Sequence, residues 1–230
     1  MSAPAWQWNE AKQIGTDYEN VEEVRAYDRR MGELRDIPAE NRAILGLLQL
    51  PPGAAVLEIG TGTGAFAREA ARAGHRVTAL DISPIMLEYA ANRAREDGVA
   101  GIRFVQAGFL TYENAGSPFD AVVSGLALHH LPDLWKFHAL RRIHDWLRPD
   151  GQFFLQDVVF APEQEIFGTY FDRLTAAVPA DSRQPFRRHI RQEYSTLTWI
   201  MEGLLQRSGF AVEQTRQLSE FMFQYLCRAG

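Results

Sequence analysis

The stretch VLEIGTGTGAFA, residues 56–67, places three glycines within five positions, between a short apolar run and a helical pattern. Where a strand turns into a helix, glycine allows a positive φ and leaves space for a ligand to lie against the main chain. The unpaired N–H groups of the following helix attract an anionic group. The stretch therefore predicts a cofactor-binding loop at the carboxyl end of the first strand of an open sheet.

Strand and helix patterns alternate on both sides of this loop. Helical patterns at 65–73, 83–96 and 132–147 separate the strands, which predicts βαβ units and a parallel sheet. Two final strand-like segments follow each other without a helix, which predicts an antiparallel hairpin. The fold class is therefore α/β, with a Rossmann-like, doubly wound, mostly parallel sheet of seven strands. The predicted strands are 54–60, 75–81, 102–108, 119–126, 152–160, 210–217 and 220–228.

Composition narrows the class of protein. The 230 residues are 46% hydrophobic, and the apolar runs fall well short of the ~18 residues that a membrane span needs. The N-terminus has no signal-peptide pattern, and the single cysteine, Cys227, allows no internal disulfide. A net charge of −5 disfavours a nucleic-acid partner. We expect a cytoplasmic protein, monomeric or homodimeric, that acts on a small molecule without a membrane.

The glycines fit two kinds of cofactor. Residues 62–67 satisfy the dinucleotide pattern G-x-G-x-x-[G/A], with Asp81 at the distance expected of a ribose-binding acid. A frame that starts earlier, from Glu58 through Gly60 and Gly62 to Gly64, fits another nucleoside cofactor. Taken alone, the loop leaves both alternatives open.

Segments further along the chain favour the second frame. FDAVVSGLALHHLPD (119–133), LRRIHDWLRPDGQFFLQD (140–157) and the closing hairpin resemble class I S-adenosylmethionine (SAM) dependent methyltransferases in order and position. The resemblance covers residues 45–160 and 196–230. Within the class, the chain resembles the type-11 small-molecule branch and its YrrT-like methyltransferases, up to the segment QEYSTLTWIMEGLLQRSGF.

The resemblance implies that SAM, and the product S-adenosylhomocysteine, lie across the strand ends. Glu58 is expected to meet the amino group of the cofactor and Asp81 its ribose hydroxyls. Tyr27 resembles a tyrosine that closes over SAM in relatives. The implied contacts are Glu58, Gly60, Thr61, Gly62 and Gly64 after the first strand, Asp81 and Ile82 after the second, and Ser124 and Leu126 after the fourth.

One position departs from the family pattern. Relatives often carry Asp after the third strand to accept from the adenine amine, whereas this chain has Gly108. We therefore expect backbone groups near Gly108 and an apolar contact with Phe109 to hold the adenine.

The acceptor side rests on fewer residues. His129 and His130 follow the fourth strand and are candidates for a general base, with helix capping and packing as the alternative. Trp135, Arg187 and Arg188 are candidate substrate contacts, with a buried tryptophan and a solvated helix face as the alternatives. The predicted units are a helical cap (1–45), the SAM-binding core (46–160), a helical lid (161–195) and the closing helix and hairpin (196–230).

No metal site is expected, because His129, His130, His138 and Asp133 have no spacing that turns three ligands to one face. The sequence thus predicts in-line methyl transfer from SAM to an oxygen, nitrogen or sulfur nucleophile of a small molecule. The alternatives are an NAD(P)-dependent oxidoreductase and a protein that binds SAM without turnover.

Overall fold

The computed structural model describes residues 4–12, 36–162 and 166–230. Of the predicted cap (1–45), only residues 4–12 and 36–45 belong to the described part, and Tyr27 lies outside it. Among the described residues, no helix is both long and apolar enough to cross a bilayer. We number helices and strands in chain order over the described part.

One sheet organises the chain, in the order β3-β2-β1-β4-β5-β8-β7. The pairs from β3 to β5 are parallel, and β5-β8 and β7-β8 are antiparallel. The predicted seven-stranded, mostly parallel sheet is therefore confirmed, and a two-residue β6 pairs with the end of β5. The strands are β1 Ala55–Ile59, β2 Arg76–Asp81, β3 Ile102–Gln106, β4 Phe119–Gly125, β5 Leu147–Phe160, β6 Thr196–Leu197, β7 Phe210–Ser219 and β8 Met222–Ala229.

Helices cover both faces of the sheet. Residues of α1 and α2 pack with β1 and β2 on one face, and residues of α4 and α7 pack with β4 and β5 on the other. The helices are α1 Ile37–Leu48, α2 Ala65–Arg72, α3 Pro84–Glu96, α4 Asp133–Trp146, α5 Phe167–Ala177, α6 Arg183–Gln192 and α7 Thr198–Arg207.

Two local features follow from sequence chemistry. The Ser83 side chain accepts from the backbone N–H of Met86, and Pro84 is the first residue of α3, as the capping pattern predicts. Strand β5 begins at Leu147, earlier than the predicted residue 152, and so includes the residues Pro149 to Gly151. Leu147 already pairs with Phe119, and a register shift follows where Asp150 has φ of 60°. A bulge accommodates the turn residues without ending the strand.

The N-terminal segment 4–12 lies against the core. Trp8 packs edge-on against Tyr194, with ring centroids 5.6 Å apart, and Trp6 stacks on Trp135. The Gln7 side chain donates to the carbonyl of Leu110 at 3.1 Å. These contacts bring residue 10 to the end of β3.

Candidate cofactor and acceptor site

A cavity opens at the carboxyl ends of β1, β2 and β4. The chain order reverses between β1 and β4, and in open α/β sheets ligands bind at such a switch point. The walls come from the loops after these strands, the loop after β3, helix α1 and the N-terminal segment. Predicted residues that line the cavity are Glu58, Gly60, Thr61, Gly62, Asp81, Ile82, Gly108, Phe109, Leu126 and His130.

The three glycines of the loop have different structural roles. A Cβ on Gly60, which has φ of 77°, would overlap the Ala127 side chain, so this glycine lets the loops after β1 and β4 touch. Gly62 faces open space with φ of 52°. A Cβ on Gly64 would lie 2.9 Å from that of Ala90, so Gly64 serves the packing of α2 on α3 and does not line the cavity.

Asp81 and Glu58 are the two carboxylates that the resemblance implies. Asp81 accepts from the N–H groups of Gly62 at 2.8 Å and Ser83 at 2.9 Å, and burial raises its pKa. Glu58 accepts from the Thr61 hydroxyl at 2.5 Å. Burial, with a further contribution from the Asp81 charge, raises the pKa of Glu58 to about 8. A cationic ligand group would stabilise both carboxylates in their charged form.

Glu10 is a cavity carboxylate that the sequence analysis missed. It accepts from the Leu110 N–H at 3.0 Å and from the Thr111 hydroxyl at 2.7 Å, and burial raises its pKa. A Cβ at Gly108 would lie 2.6 Å from the Glu10 carboxyl carbon, so a larger residue there would displace this carboxylate. Gly108, at the position where the resemblance implies an aspartate, therefore leaves room for a carboxylate from the N-terminal segment. In the sequence, the departure at Gly108 was the feature that could have indicated a carboxylate from another segment.

The charge of the cavity is one-sided. Four carboxylates line it, and no lysine or arginine does among residues 4–12, 36–162 and 166–230. The four are Glu10, Glu40, Glu58 and Asp81, each of which is negative when ionised. Such a lining favours a cationic ligand and opposes a pyrophosphate.

The two histidines after β4 differ in surroundings. His129 is buried, with Nδ1 on Asp157 and Nε2 3.1 Å from Glu193. Burial alone would lower the pKa of His129, but Asp157 and then Glu193 raise it to about 9. His130 lines the cavity, and burial, followed by the charge of His129, lowers its pKa to about 4. His129 thus has both ring nitrogens engaged, and His130 faces the ligand space.

Further groups join His129 from distant segments. The Nδ1 of His189 lies 2.7 Å from Glu193, which also approaches His129. We call His129, Asp157, His189 and Glu193 the histidine cluster. The sequence analysis compared histidines that are close together in the chain. No pattern within residues 189–193 indicates that this segment contacts His129.

The remaining predicted residues lie outside the cavity lining. The Ser124 hydroxyl is buried and donates to the carbonyl of Ile59 at 3.0 Å, which ties β4 to β1. Trp135 packs between Trp6 and His138. Arg187 and Arg188 are exposed on α6, so the structure does not bring them to the cavity.

Comparison with known proteins agrees with this architecture. Residues 56–151 match the family described as "Methyltransferase domain". Over this segment the chain is similar to a methyltransferase domain, and its fold is that of class I methyltransferases. An uncharacterized methyltransferase of Geobacillus kaustophilus is 27% identical over 194 residues, which are 84% of this chain and 85% of the relative. The family predicted from the motifs after β1 and β4 is thereby confirmed.

Solved methyltransferase structures share the fold. Magnesium protoporphyrin IX methyltransferase of Synechocystis, solved with bound SAM, superposes with a TM-score of 0.61 at 18% identity and covers 96% of this chain and 88% of its own. A SAM-dependent methyltransferase of Aquifex aeolicus superposes with a TM-score of 0.64 at 16% identity. The match covers 92% of this chain and 99% of that one. At these identities the likeness concerns the fold alone.

Proposed function

We propose that the protein is a SAM-dependent methyltransferase that acts on a small-molecule acceptor. The observation that carries the proposal is the cavity itself, at the switch point of a methyltransferase domain, with four lining carboxylates and no lining lysine or arginine among the described residues. SAM bears a sulfonium and an ammonium against one carboxylate, so its net charge complements these walls.

Two parts of the cofactor, the ribose and the methionine ammonium, are each assigned to a carboxylate of the protein. Asp81 is fixed by two backbone N–H groups and accepts from the ribose hydroxyls. Glu58 accepts from the ammonium of the methionine end, which favours the ionised carboxylate over the protonated form that burial favours. Both roles use acceptors that the structure holds in place before ligand binds.

Glu10 accepts from the adenine amine in this proposal. Its carboxylate lies at the end of β3, beside Gly108, and is oriented by Leu110 and Thr111. Ile82 and Phe109 line the same part of the cavity and offer apolar contacts to the base. The N-terminal segment thus supplies the polar contact that the third strand lacks.

Methyl transfer requires the nucleophile, methyl carbon and sulfur to lie in line, and holding them so supplies much of the catalysis. As the C–S bond breaks, the sulfur loses its positive charge and the methyl bonds to the acceptor. His130 lines the cavity after β4 and accepts a hydrogen bond from an acceptor O–H or N–H. A thiolate acceptor needs no such group.

The nicotinamide alternative fits less well. A dinucleotide brings two phosphates, and the lining has four carboxylates and, among the described residues, no lysine or arginine to compensate that negative charge. Binding of SAM without turnover differs from the proposed function only in the outcome with acceptors.

Titration calorimetry with SAM, S-adenosylhomocysteine and NAD⁺ tests the proposal. We expect micromolar binding of the first two and none of NAD⁺; tight NAD⁺ binding without a response to SAM would overturn it. A screen of thiols, amines, phenols and carboxylates for S-adenosylhomocysteine release then identifies the acceptor class. Release with none of them supports the binding-only alternative.

A further inference from the structure

The histidine cluster has the geometry of a ligand set. The Nε2 of His129 lies 3.1 Å from a carboxylate oxygen of Glu193, and the Nδ1 of His189 lies 2.7 Å from the same oxygen. The two imidazole nitrogens and the carboxylate oxygen all lie within 4.8 Å of one another. With metal–ligand bonds of about 2.0–2.2 Å, tetrahedral zinc ligands lie about 3.3 Å apart, so these spacings need little adjustment.

The outer nitrogen of each imidazole is already held. Nδ1 of His129 is bonded to Asp157, and Nε2 of His189 lies 2.7 Å from the Ser195 hydroxyl. With the proton on these outer nitrogens, each inner nitrogen turns a lone pair toward Glu193. Metal-binding histidines characteristically have this second hydrogen bond, which fixes the ring and its tautomer.

Other contacts hold the ligand-bearing segments together. The N–H of Tyr194 donates to the carbonyl of His129 at 2.9 Å, and the Lys136 ammonium donates to the carbonyl of Tyr194. The Thr196 hydroxyl donates to Asp133 at 3.1 Å. Residues 193–196 are therefore fixed against the turn after β4 independently of any ion.

One carboxylate of the cluster is not fully paired. Asp157 and Glu193 contact the imidazoles, whereas the Lys136 ammonium pairs with Asp133. Asp157 is fully buried, and its second oxygen has no hydrogen-bond partner among the described residues. A buried carboxylate oxygen without a partner is costly, and a divalent ion bound at His129 would bring positive charge close to it.

From these observations we infer that His129, His189 and Glu193 bind a divalent first-row transition metal ion, of which Zn²⁺ is the probe of choice. Two imidazoles and one carboxylate suit Zn²⁺ better than Mg²⁺ or Ca²⁺ and leave a coordination position open. His130, whose Nδ1 lies 3.9 Å from the shared Glu193 oxygen, borders the site on the cavity side. The ion joins the segment after α6 to the turn after β4.

Calorimetry of EDTA-treated, dialysed protein with ZnCl₂ tests this inference in the absence of SAM, so its failure leaves the proposed function intact. We expect one equivalent to bind with Kd below about 1 μM, and His189→Ala or Glu193→Gln to weaken binding at least about 30-fold. MgCl₂ should not bind measurably. His138→Ala, which removes an exposed histidine outside the cluster, should bind Zn²⁺ as the wild type does.

A second measurement covers variants that fold poorly. The Tm of the wild-type protein should fall in EDTA and recover with ZnCl₂ but not with MgCl₂, because the ion binds only the folded state. The inference is overturned if Zn²⁺ binds the wild type no more tightly than it binds Glu193→Gln, or if neither EDTA nor ZnCl₂ moves the Tm. The cluster is then a set of ion pairs alone.

Discussion

The loop after β1 and the histidine cluster after β4 lie at the same edge of the sheet, but they are assembled in different ways. Gly62 and Asp81, which hydrogen bond in the loop, are 19 residues apart and follow neighbouring strands. His129 meets Asp157 across 28 residues and Glu193 from beyond the segment of α5 and α6. The proposed cofactor side thus comes mainly from one βαβ unit, and the proposed acceptor side depends on how a separate segment docks.

This difference has a consequence for mutations. Changes in the β1 loop should affect cofactor affinity, and changes at His130 should affect transfer to the acceptor while cofactor affinity stays the same. Glu10 lies between these cases, since it belongs to the cofactor side but reaches Leu110 across 100 residues.

The largest expected effect concerns turnover. Once an acceptor is found, His130→Ala should lower kcat about 100-fold by removing the cavity-side hydrogen-bond acceptor, with the Kd for SAM unchanged within about twofold. Steady-state kinetics and calorimetry measure the two quantities. His138→Ala, at an exposed position, should match the wild type in both. An unchanged kcat for an alcohol or amine acceptor would remove His130 from the chemistry.

The next effect belongs to the cofactor loop. Gly60→Ala combines a strained φ of 77° with overlap of Ala127, and should weaken SAM binding about 30-fold. Gly74→Ala is the matched control, because it has φ of 88° with nothing within 4 Å and lies away from the cavity. If calorimetry finds equal losses for both variants, backbone strain alone explains the effect and the close approach of the two loops has no functional weight.

The third effect concerns Glu10 and the recognition of the adenine base of the cofactor. The wild type should bind S-adenosylhomocysteine about 10-fold more tightly than its inosyl analogue, which has a carbonyl in place of the adenine amine. In Glu10→Gln the amide can donate to that carbonyl, so the preference should narrow or invert. Glu113→Gln, on an exposed side chain paired with Arg142, should keep the wild-type ratio. The same ratio in all three proteins would exclude Glu10 from adenine recognition.

The smallest effect is one of pH. In the free protein the pKa of Glu58 is about 8, so below that pH the carboxyl is protonated and must lose its proton to accept from the SAM ammonium. SAM affinity should therefore rise with pH up to about 8, by less than tenfold per unit, and then level. Calorimetry across pH 6.5–8.5 measures the slope. Glu58→Gln should bind more weakly and lose this part of the dependence, and an identical slope in the variant would contradict the role.

The elements that carry the proposed cofactor contacts can be predicted from the sequence because their determinants are local. The glycines around Gly62, the acid at the end of β2 and the Ser83–Pro84 cap each follow from a few neighbouring residues and a strand–helix alternation. The parallel order of the sheet follows from the same alternation.

The remainder depends on long-range docking that no local pattern encodes. Glu10 belongs to a short segment placed by Trp6 and Trp8, and Asp157 has the appearance of an ordinary residue in a buried strand. His189 reaches His129 only because residues 193–196 pair with the turn after β4 and with β5. Tertiary packing, rather than propensity, decides such contacts.

The central claim is that the carboxylate-lined cavity binds an adenosyl sulfonium. A crystal structure of the protein with S-adenosylhomocysteine tests it most directly. We predict that the ribose hydroxyls lie on Asp81, the amino group lies on Glu58 and the adenine amine lies on Glu10. Density for the ligand at any other place, or an Asp81→Ala protein that binds it as tightly as the wild type, would contradict the claim.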